Sequence, residues 1–266
     1  MKKLAKILAI CLCLTVCATT TACLIGCGSA DQTVTVSGSS SVTPIMEKLA
    51  AEYEKTHNVR IVINMSSSGA GISDTQNGLN DFGMSSRLLK DTESGVAGKI
   101  LCKDGIALIV NKNCAVTNVT KTAVHDLFAQ GTAIEGTTIT AGIGRDASSG
   151  TRSAFDELLK IEGGYHKSAA TLAETGNVIE AIQGSENSLG YISFGSLNDF
   201  VKAVSLDGVV CSIENIVNGT YALQRPFVIV LKQGAQLSEA AQGFYDFIMS
   251  DAAQEIISAA GYVSVK

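Results

Sequence analysis

The chain has 266 residues, of which 20 are lysine or arginine and 25 are aspartate or glutamate, so its formal net charge is −5. This acidic balance argues against nucleic acid as a partner. The length suffices for one large domain or two smaller lobes around a substantial hydrophobic core.

The first residues have the layout of a secretory signal peptide. Three lysines open the chain, an apolar run at 7–17 follows, and no acidic residue occurs before Asp31. The alternative is an uncleaved membrane anchor, because residues 7–25 could nearly span a bilayer. The basic start and the threonine-rich end of the segment favour the signal peptide.

Residues 24–27 (Leu-Ile-Gly-Cys) resemble a bacterial lipobox, whose cysteine is acylated before cleavage. Cys23 fits that motif less well. We therefore predict a lipoprotein signal peptide at 1–26, a lipidated Cys27 and a tether at 27–32. Cleavage would leave 240 residues and remove three lysines, giving 17 basic against 25 acidic residues and a net charge of −8. Stable anchoring needs more than one acyl chain, such as palmitate, on the cysteine.

Three cysteines remain beyond the predicted lipidation site, namely Cys102, Cys114 and Cys211. Their number is odd and no CxxC spacing occurs. Cys102 and Cys114 flank a predicted strand, so they should lie too far apart to form a disulfide. We expect all three to be free thiols that serve in packing.

Strand and helix patterns alternate along the chain. Strands are predicted at 33–37, 59–64, 82–84, 106–110, 137–143, 189–193 and 227–231. Helices are predicted from Thr43 to Tyr53 and at 69–78, 122–129, 150–160, 176–184 and 237–248. Thr43 is predicted to cap the first helix, with Pro44 at its first position. The alternation predicts an α/β fold with ligand loops at the carboxyl ends of strands.

Four polar loops lie where a strand leads to a helix. They are residues 38–44 (Gly-Ser-Ser-Ser-Val-Thr-Pro), 66–71 (Ser-Ser-Ser-Gly-Ala-Gly), 83–87 (Gly-Met-Ser-Ser-Arg) and 144–152 (Gly-Arg-Asp-Ala-Ser-Ser-Gly-Thr-Arg). Helix starts present unpaired N–H groups and a partial positive charge, hydroxyls add donors, and an arginine fork matches two oxygens of a tetrahedral anion. A single loop of this kind is usually an ordinary helix cap. Four in one chain, two of them with arginine, predict an anion site.

In order and spacing these loops resemble those of the phosphate-binding proteins of ABC phosphate importers, especially the Gram-positive-type lipoproteins. Further matches lie at 103–107 (Lys-Asp-Gly-Ile-Ala), 190–193 (Gly-Tyr-Ile-Ser) and 218–226 (Asn-Gly-Thr-Tyr through Arg-Pro). The resemblance covers about 33–266, and its most specific part is the Ser-Gly-Thr-Arg loop with the upstream arginine.

The resemblance implies a two-lobed, hinged periplasmic-binding-protein fold of type II, in which each lobe has a mixed, mostly parallel sheet flanked by helices. Lobe I would contain 33–108 and 222–266, and lobe II would contain 109–221. The chain would cross between them within 104–113 and 217–226. Binding would close the cleft between the lobes.

Carried over position by position, the resemblance implies nine anion-binding residues. They are Ser40, Ser41, Ser68, Ser86, Arg87, Arg145, Ser149, Gly150 and Thr151.

This chain departs from part of the family at Ser86, where some members have an aspartate that accepts the proton of hydrogen phosphate and rejects sulfate. Whether Arg87 contacts the anion or pairs elsewhere stays open. Asp146 is a candidate organiser of Arg145. Arg152 is either part of the site or paired with an acidic residue one helical turn on.

The resemblance implies a binding protein, not an enzyme, that captures inorganic phosphate and delivers it to ABC permease subunits with a cytoplasmic ATPase. It would be a monomer on the extracytoplasmic face of the membrane, held by a lipid anchor. No cofactor and no metal are expected.

Other functions stay open at this point. The ligand could be sulfate, molybdate or a phosphonate, or the chain could be an adhesion or signalling lipoprotein. An enzyme is less well supported, because no GxSxG or Walker motif occurs and His57, His125 and His166 lie in polar contexts.

Overall fold

Strands and helices alternate through residues 32–266, the part of the chain that the computed structural model describes. The strands are β1 (Gln32–Ser39), β2 (Val59–Ser66), β3 (Phe82–Ser85), β4 (Val96–Asn111), β5 (Asn118–Val119), β6 (Ala141–Arg145), β7 (Ala170–Leu172), β8 (Ser188–Ser193), β9 (Val201–Leu206) and β10 (Gln224–Lys232). The helices are α1 (Thr43–Glu54), α2 (Ser68–Asn77), α3 (Lys121–Ala129), α4 (Gly150–Leu159), α5 (Thr175–Gln183), α6 (Ile213–Val217), α7 (Glu239–Ile248) and α8 (Asp251–Ala259).

The predicted signal peptide, Cys27 and all of the tether except Gln32 lie outside the described residues. Within 32–266, the helices are too short or too polar to cross a membrane.

Every element predicted from the sequence is present, and several were missed. The strand predicted at 106–110 is the second half of β4, whose first half carries exposed residues without a long apolar run. Strands β5, β7 and β9 and helices α6 and α8 were not predicted. Two of these strands have only two or three residues, which is too few for a period to be visible.

The prediction that Thr43 caps α1 was wrong. Thr43 is the first helical residue, and Val42 occupies the cap position without a side-chain hydrogen bond. The Thr43 hydroxyl donates instead to the Ser39 carbonyl oxygen at 3.2 Å, four residues earlier. The loop therefore already turns helically before Pro44.

The strands form one mixed sheet with the order β2-β1-β3-β10-β4-β8-β6-β7, while β9 pairs with β4 and β5. Strand β1 is parallel to β2 and β3, and β6 is parallel to β7 and β8. Strand β10 is antiparallel to β3 and β4. The predicted mixed α/β fold is thereby confirmed.

Two large hydrophobic cores lie along this sheet. The first core takes its buried residues from 34–102 and 227–262, with Phe82 and Phe244 stacked at its centre. The second core takes its buried residues from 106–223 together with Val263. Strand β4 contributes to both. The exact lobe limits given above stay a prediction.

The three cysteines beyond the lipobox are free and buried, as predicted. Cys102 belongs to the first core, and Cys114 and Cys211 belong to the second. Burial raises the pKa of the Cys102 thiol well above its ordinary value. These thiols therefore pack as small apolar side chains.

Gly38 in β1 allows the backbone of β3 to approach. Its φ is +134°, and a Cβ there would lie 2.3 Å from the Met84 carbonyl oxygen.

Gly38→Ala should lower the free energy of unfolding, measured in urea, by about 2–4 kcal/mol, because the costs of backbone strain and of the clash add together. Gly95→Ala, with φ +76° and open space, should lose only about 1–2 kcal/mol. Equal losses would contradict the close-approach argument.

Candidate functional site

The first residues of four helices lie within contact distance of one another. Ser41 precedes α1, and its Oγ lies 2.8 Å from Oγ1 of Thr151 in α4. The same Oγ lies 3.4 Å from Oγ1 of Thr175, the first residue of α5. Ser68 begins α2, and a Cβ at Gly150 would lie 2.1 Å from its Oγ, so any side chain at position 150 would displace Ser68. Four converging helix starts favour a negative charge between them.

The sheet brings the first three polar loops together. Because β2 and β3 both run parallel to β1, their carboxyl ends lie at one edge. In this register Ser39 is opposite Ser66, and Gly38 is opposite Met84. The loop that follows each strand therefore begins at the same place.

Ser68 and Ser86 form the part of the site nearest the first core. Their Oγ atoms lie 3.2 Å apart, and the Ser86 N–H donates to Ser68 Oγ at 3.0 Å. Both side chains have no exposed surface. Each hydroxyl can donate or accept, so this pair can adapt to either a protonated or an ionised oxygen.

The fourth loop joins this group from the side of the second core. The Arg145 Nη2 donates to Ser40 Oγ at 3.0 Å, and the Gly69 N–H donates to the Ser148 carbonyl oxygen at 3.1 Å. Ser149 caps α4 by accepting from the Arg152 N–H at 3.3 Å. Hydrogen bonds between these loops therefore join the two sides of the fold at this point.

The structure brings eight of the nine predicted binding residues into this cluster. They are Ser40, Ser41, Ser68, Ser86, Arg145, Ser149, Gly150 and Thr151. That they bind a ligand stays a prediction, but their proximity is a property of the fold.

Arg145 is the cation of the cluster and is 2% exposed. Its guanidinium donates to the carbonyl oxygens of Leu172 (3.3 Å) and Ala173, to Thr175 Oγ1 (3.2 Å) and to Ser40 Oγ (3.0 Å). Within residues 32–266 no carboxylate accepts a hydrogen bond from it. Burial lowers the pKa of Arg145 from its ordinary value, although an arginine stays charged at neutral pH.

The prediction that Asp146 organises Arg145 was wrong in its detail. Its Oδ1 accepts hydrogen bonds from the backbone and hydroxyl of Ser148 and from the Ser149 N–H, at 2.6–3.1 Å. Asp146 therefore shapes the turn that leads into α4. An aspartate bonds readily to the backbone two or three residues ahead, which explains its choice of partner.

Arg87 is the predicted binding residue that the structure does not bring into the cluster. Its two terminal nitrogens donate to the Glu93 carboxylate at 2.8 and 2.6 Å, and one also donates to the Leu88 carbonyl oxygen. Burial acts to raise the pKa of Glu93, but the hydrogen bonds and positive charges of Arg87 and Lys90 outweigh it and lower that pKa. The Arg87 guanidinium is paired with the Glu93 carboxylate through two hydrogen bonds, so it does not extend toward the serines of the cluster.

Arg152 pairs with Asp156 one turn along α4, at 3.3 Å between Nε and Oδ2, which confirms the pairing considered from the sequence. Its guanidinium also lies over the Tyr165 ring, 4.0 Å from the centroid, and donates to the Arg145 carbonyl oxygen. Arg152 therefore supports the loop from outside the cluster.

Thr175 is a cluster residue that sequence reasoning missed. It is 6% exposed, and its Oγ1 lies within 3.4 Å of Arg145, Ser40 and Ser41 atoms. The predicted helix at 176–184 was placed one residue too late to include it. A threonine at the first position of a helix was the available signal, but no arginine or glycine-rich motif surrounds it.

The histidines take no part in this site. His57 stacks on Tyr53, His125 contacts Asp126, and His166 contacts Ser168. Across 32–266, no three His, Cys, Asp or Glu side chains are grouped so as to hold a metal ion.

Comparison with known proteins agrees with this geometry. A family model described as a PBP superfamily domain matches residues 27–252. A candidate phosphate ABC transporter substrate-binding protein from Clostridium perfringens, solved with bound phosphate, superposes with a TM-score of 0.83 at 35% identity, covering 88% of this chain and 100% of that one. This chain belongs to the PBP superfamily, within the PstS family of phosphate-binding proteins.

Further phosphate-binding proteins are similar to this PstS family member in structure or in sequence. An ABC-type phosphate transport receptor from Vibrio cholerae has a TM-score of 0.70 at 30% identity, covering 86% of this chain and 99% of that one. The phosphate-binding protein PstS 2 of Streptococcus pneumoniae is 39% identical over 132 residues, which is 47% of this chain. In that match the chain spans about half, 45%, of the relative's length. The resemblance to phosphate-binding proteins is confirmed, and the lipoprotein part of it stays a prediction.

Thr175→Val tests how much the Thr175 hydroxyl contributes to the stability of this PstS family member. The substitution keeps the shape but leaves the Arg145 Nη1 without its acceptor. The free energy of unfolding should fall by about 1–3 kcal/mol in urea. Thr171→Val in β7, where the side chain is exposed, should be neutral. An unchanged stability for Thr175→Val would show that its hydroxyl contributes nothing to the cluster.

Proposed function

We propose that this protein is an extracytoplasmic solute-binding lipoprotein that captures inorganic phosphate between two lobes and delivers it to the permease of an ABC transporter. The observation that carries the proposal is the buried Arg145 guanidinium, which donates only to uncharged oxygens, including the hydroxyls of Ser40 and Thr175. The permease subunits would work with a cytoplasmic ATPase. The protein would act as a monomer without cofactor or catalysis.

A buried cation without a carboxylate partner favours an anionic ligand on energetic grounds. Burying an uncompensated charge costs several kcal/mol, and an anion in contact with it offsets that cost. Each hydrogen bond between a donor and a charged oxygen adds about 1.5–3 kcal/mol. The serine and threonine hydroxyls and the helix starts supply such donors from several sides.

The candidate binding residues come from loops on the sides of both cores, which supports binding by closure. Ser40, Ser41, Ser68 and Ser86 lie on the side of the first core, and Arg145 and Thr151 lie on the side of the second. An anion held by both sets stabilises the closed arrangement relative to an open one. The permease would recognise the closed form.

The identity of the bound anion depends on how the site distinguishes phosphate from other oxyanions. The Ser86 hydroxyl can accept the proton of hydrogen phosphate, but it does not repel a fully ionised anion as a carboxylate would. Arg87, turned toward Glu93, adds no second cation in this arrangement. Sulfate, molybdate or a phosphonate is the alternative ligand class.

The lipid anchor is a further part of the proposal and rests on the lipobox at 24–27. A diacylated Cys27 would hold the receptor at the extracytoplasmic face, where a freely diffusing receptor would be lost in the absence of an outer membrane.

Calorimetric titration of residues 28–266 with phosphate, at pH 7 and 0.15 M salt, tests the ligand. Ligand carried through purification is first removed by unfolding and refolding. We expect tight one-to-one binding that persists in excess sulfate. Binding abolished by sulfate would move the ligand to another oxyanion. No heat with phosphate, sulfate or molybdate would end the transport proposal and favour an adhesion or signalling role.

Arg145→Gln tests the residue that carries the proposal. It removes the charge and two donors that face Ser40 and Thr175, so phosphate affinity should fall by about 100-fold, or about 2.8 kcal/mol. Arg60→Gln, at an exposed position on β2, is the matched control and should bind as the unmodified protein does. Near-normal affinity of Arg145→Gln, measured by the same titration, would place the site elsewhere.

A further inference from the structure

The chain passes between the two cores on two neighbouring strands. Along β4, Leu101 and Cys102 belong to the first core and Ile106 belongs to the second. Beside it, Phe227 in β10 belongs to the first core and Leu223, just before β10, belongs to the second. The antiparallel pairing of β4 and β10 is therefore the crossing between the two halves of the fold.

A buried ion pair occupies this crossing. Asp104 and Arg225 are opposite each other in the register of β4 and β10. The Nε and Nη2 of Arg225 donate to Asp104 Oδ2 at 3.2 and 3.1 Å, and the two residues are 3% and 1% exposed. Burial raises the pKa of Asp104, and the neighbouring Arg225 opposes that shift.

The third nitrogen of the same guanidinium reaches the candidate site. Arg225 Nη1 donates to the Ser86 carbonyl oxygen at 3.4 Å. The N–H and the hydroxyl of Ser86 are the groups that contact Ser68. Arg225 thus connects the crossing strands to the loop that carries one of the predicted binding residues.

The rotation of the Ser86 backbone is limited by these bonds. Ser85 pairs with Val228 in β10, two residues beyond Pro226, so the loop leaves the sheet beside Arg225. With its carbonyl held on one side and its N–H on the other, the Ser86 backbone is fixed, which limits the positions that its side chain can take.

We propose that Arg225, oriented by Asp104, is a positioning residue for anion binding, which holds Ser86 in its binding orientation from the crossing between the cores. This inference rests on the proposed function. It assigns to Arg225 an effect on affinity that is separate from its effect on stability. The pair does not touch the anion and acts through the Ser86 backbone.

A purely structural role is the competing interpretation, and an apolar replacement separates the two. Well-packed apolar residues in place of a buried ion pair are often neutral or stabilising. The double variant Asp104→Leu/Arg225→Met should therefore stay folded while losing the bond to Ser86. Arg225→Lys keeps a cation beside Asp104 but lacks the fork needed to reach both partners at once.

The experiment measures phosphate affinity by calorimetry at 25 °C and the thermal midpoint by circular dichroism for each variant of the 28–266 protein. We expect both the double variant and Arg225→Lys to bind phosphate about tenfold more weakly while folded at the temperature of titration. The matched control is Gln254→Met, which removes a buried bond to the Leu101 carbonyl in the same strand, away from the site. It should lower the midpoint and leave affinity unchanged.

The unmodified protein is measured in the same series and tests the proposed function. If it binds no oxyanion, the proposed function is rejected, whatever the variants do. Given binding by the unmodified protein, unmodified affinity in either folded variant would overturn the positioning role. Arg225→Lys carries the test if the double variant does not fold. A loss of affinity in Gln254→Met equal to that in the other variants would also overturn it, because destabilisation alone would then explain the effect.

Discussion

The arrangement of this protein depends on one buried guanidinium that lacks a carboxylate partner within the described residues. Arg145 bonds to two carbonyl oxygens on its own side of the fold and to the Ser40 hydroxyl on the other. Dipolar oxygens keep the cation solvated without neutralising it. The fold thus retains a net positive charge in a place from which water is largely excluded, and an anion interacts strongly there.

The sheet explains how such a site can join two cores. Strand β4 is 16 residues long and pairs with β10 over its first part and with β8 and β9 over its second part. Each half of the fold can therefore pack its own apolar side chains while sharing a backbone. The polar loops meet where the cores meet, because the helix starts on both sides point toward that junction.

Local signals in the sequence predicted much of this. Helix periodicity, Gly and Ser at strand ends, and the arginine upstream of the Ser-Gly-Thr-Arg loop are all short-range features. They placed most elements within a few residues, and the family resemblance that the loops carry named eight residues that the fold gathers into one cluster. Some of the shortest elements, such as β5 and α6, were missed because their length leaves no period to detect.

The sequence by itself determined the α/β class, the free cysteines and the polar loops, because each depends on residues close together in the chain. The pairing of Arg152 with Asp156, one helical turn on, could be read from the sequence. Tertiary structure decided the partners of the other polar side chains. Arg87 is turned to Glu93, Asp146 to its own turn, and Thr175 to Arg145, 30 residues away. Asp104 and Arg225 meet across 121 residues. A long side chain reaches many possible partners, and strand register and packing determine which one lies at hydrogen-bonding distance.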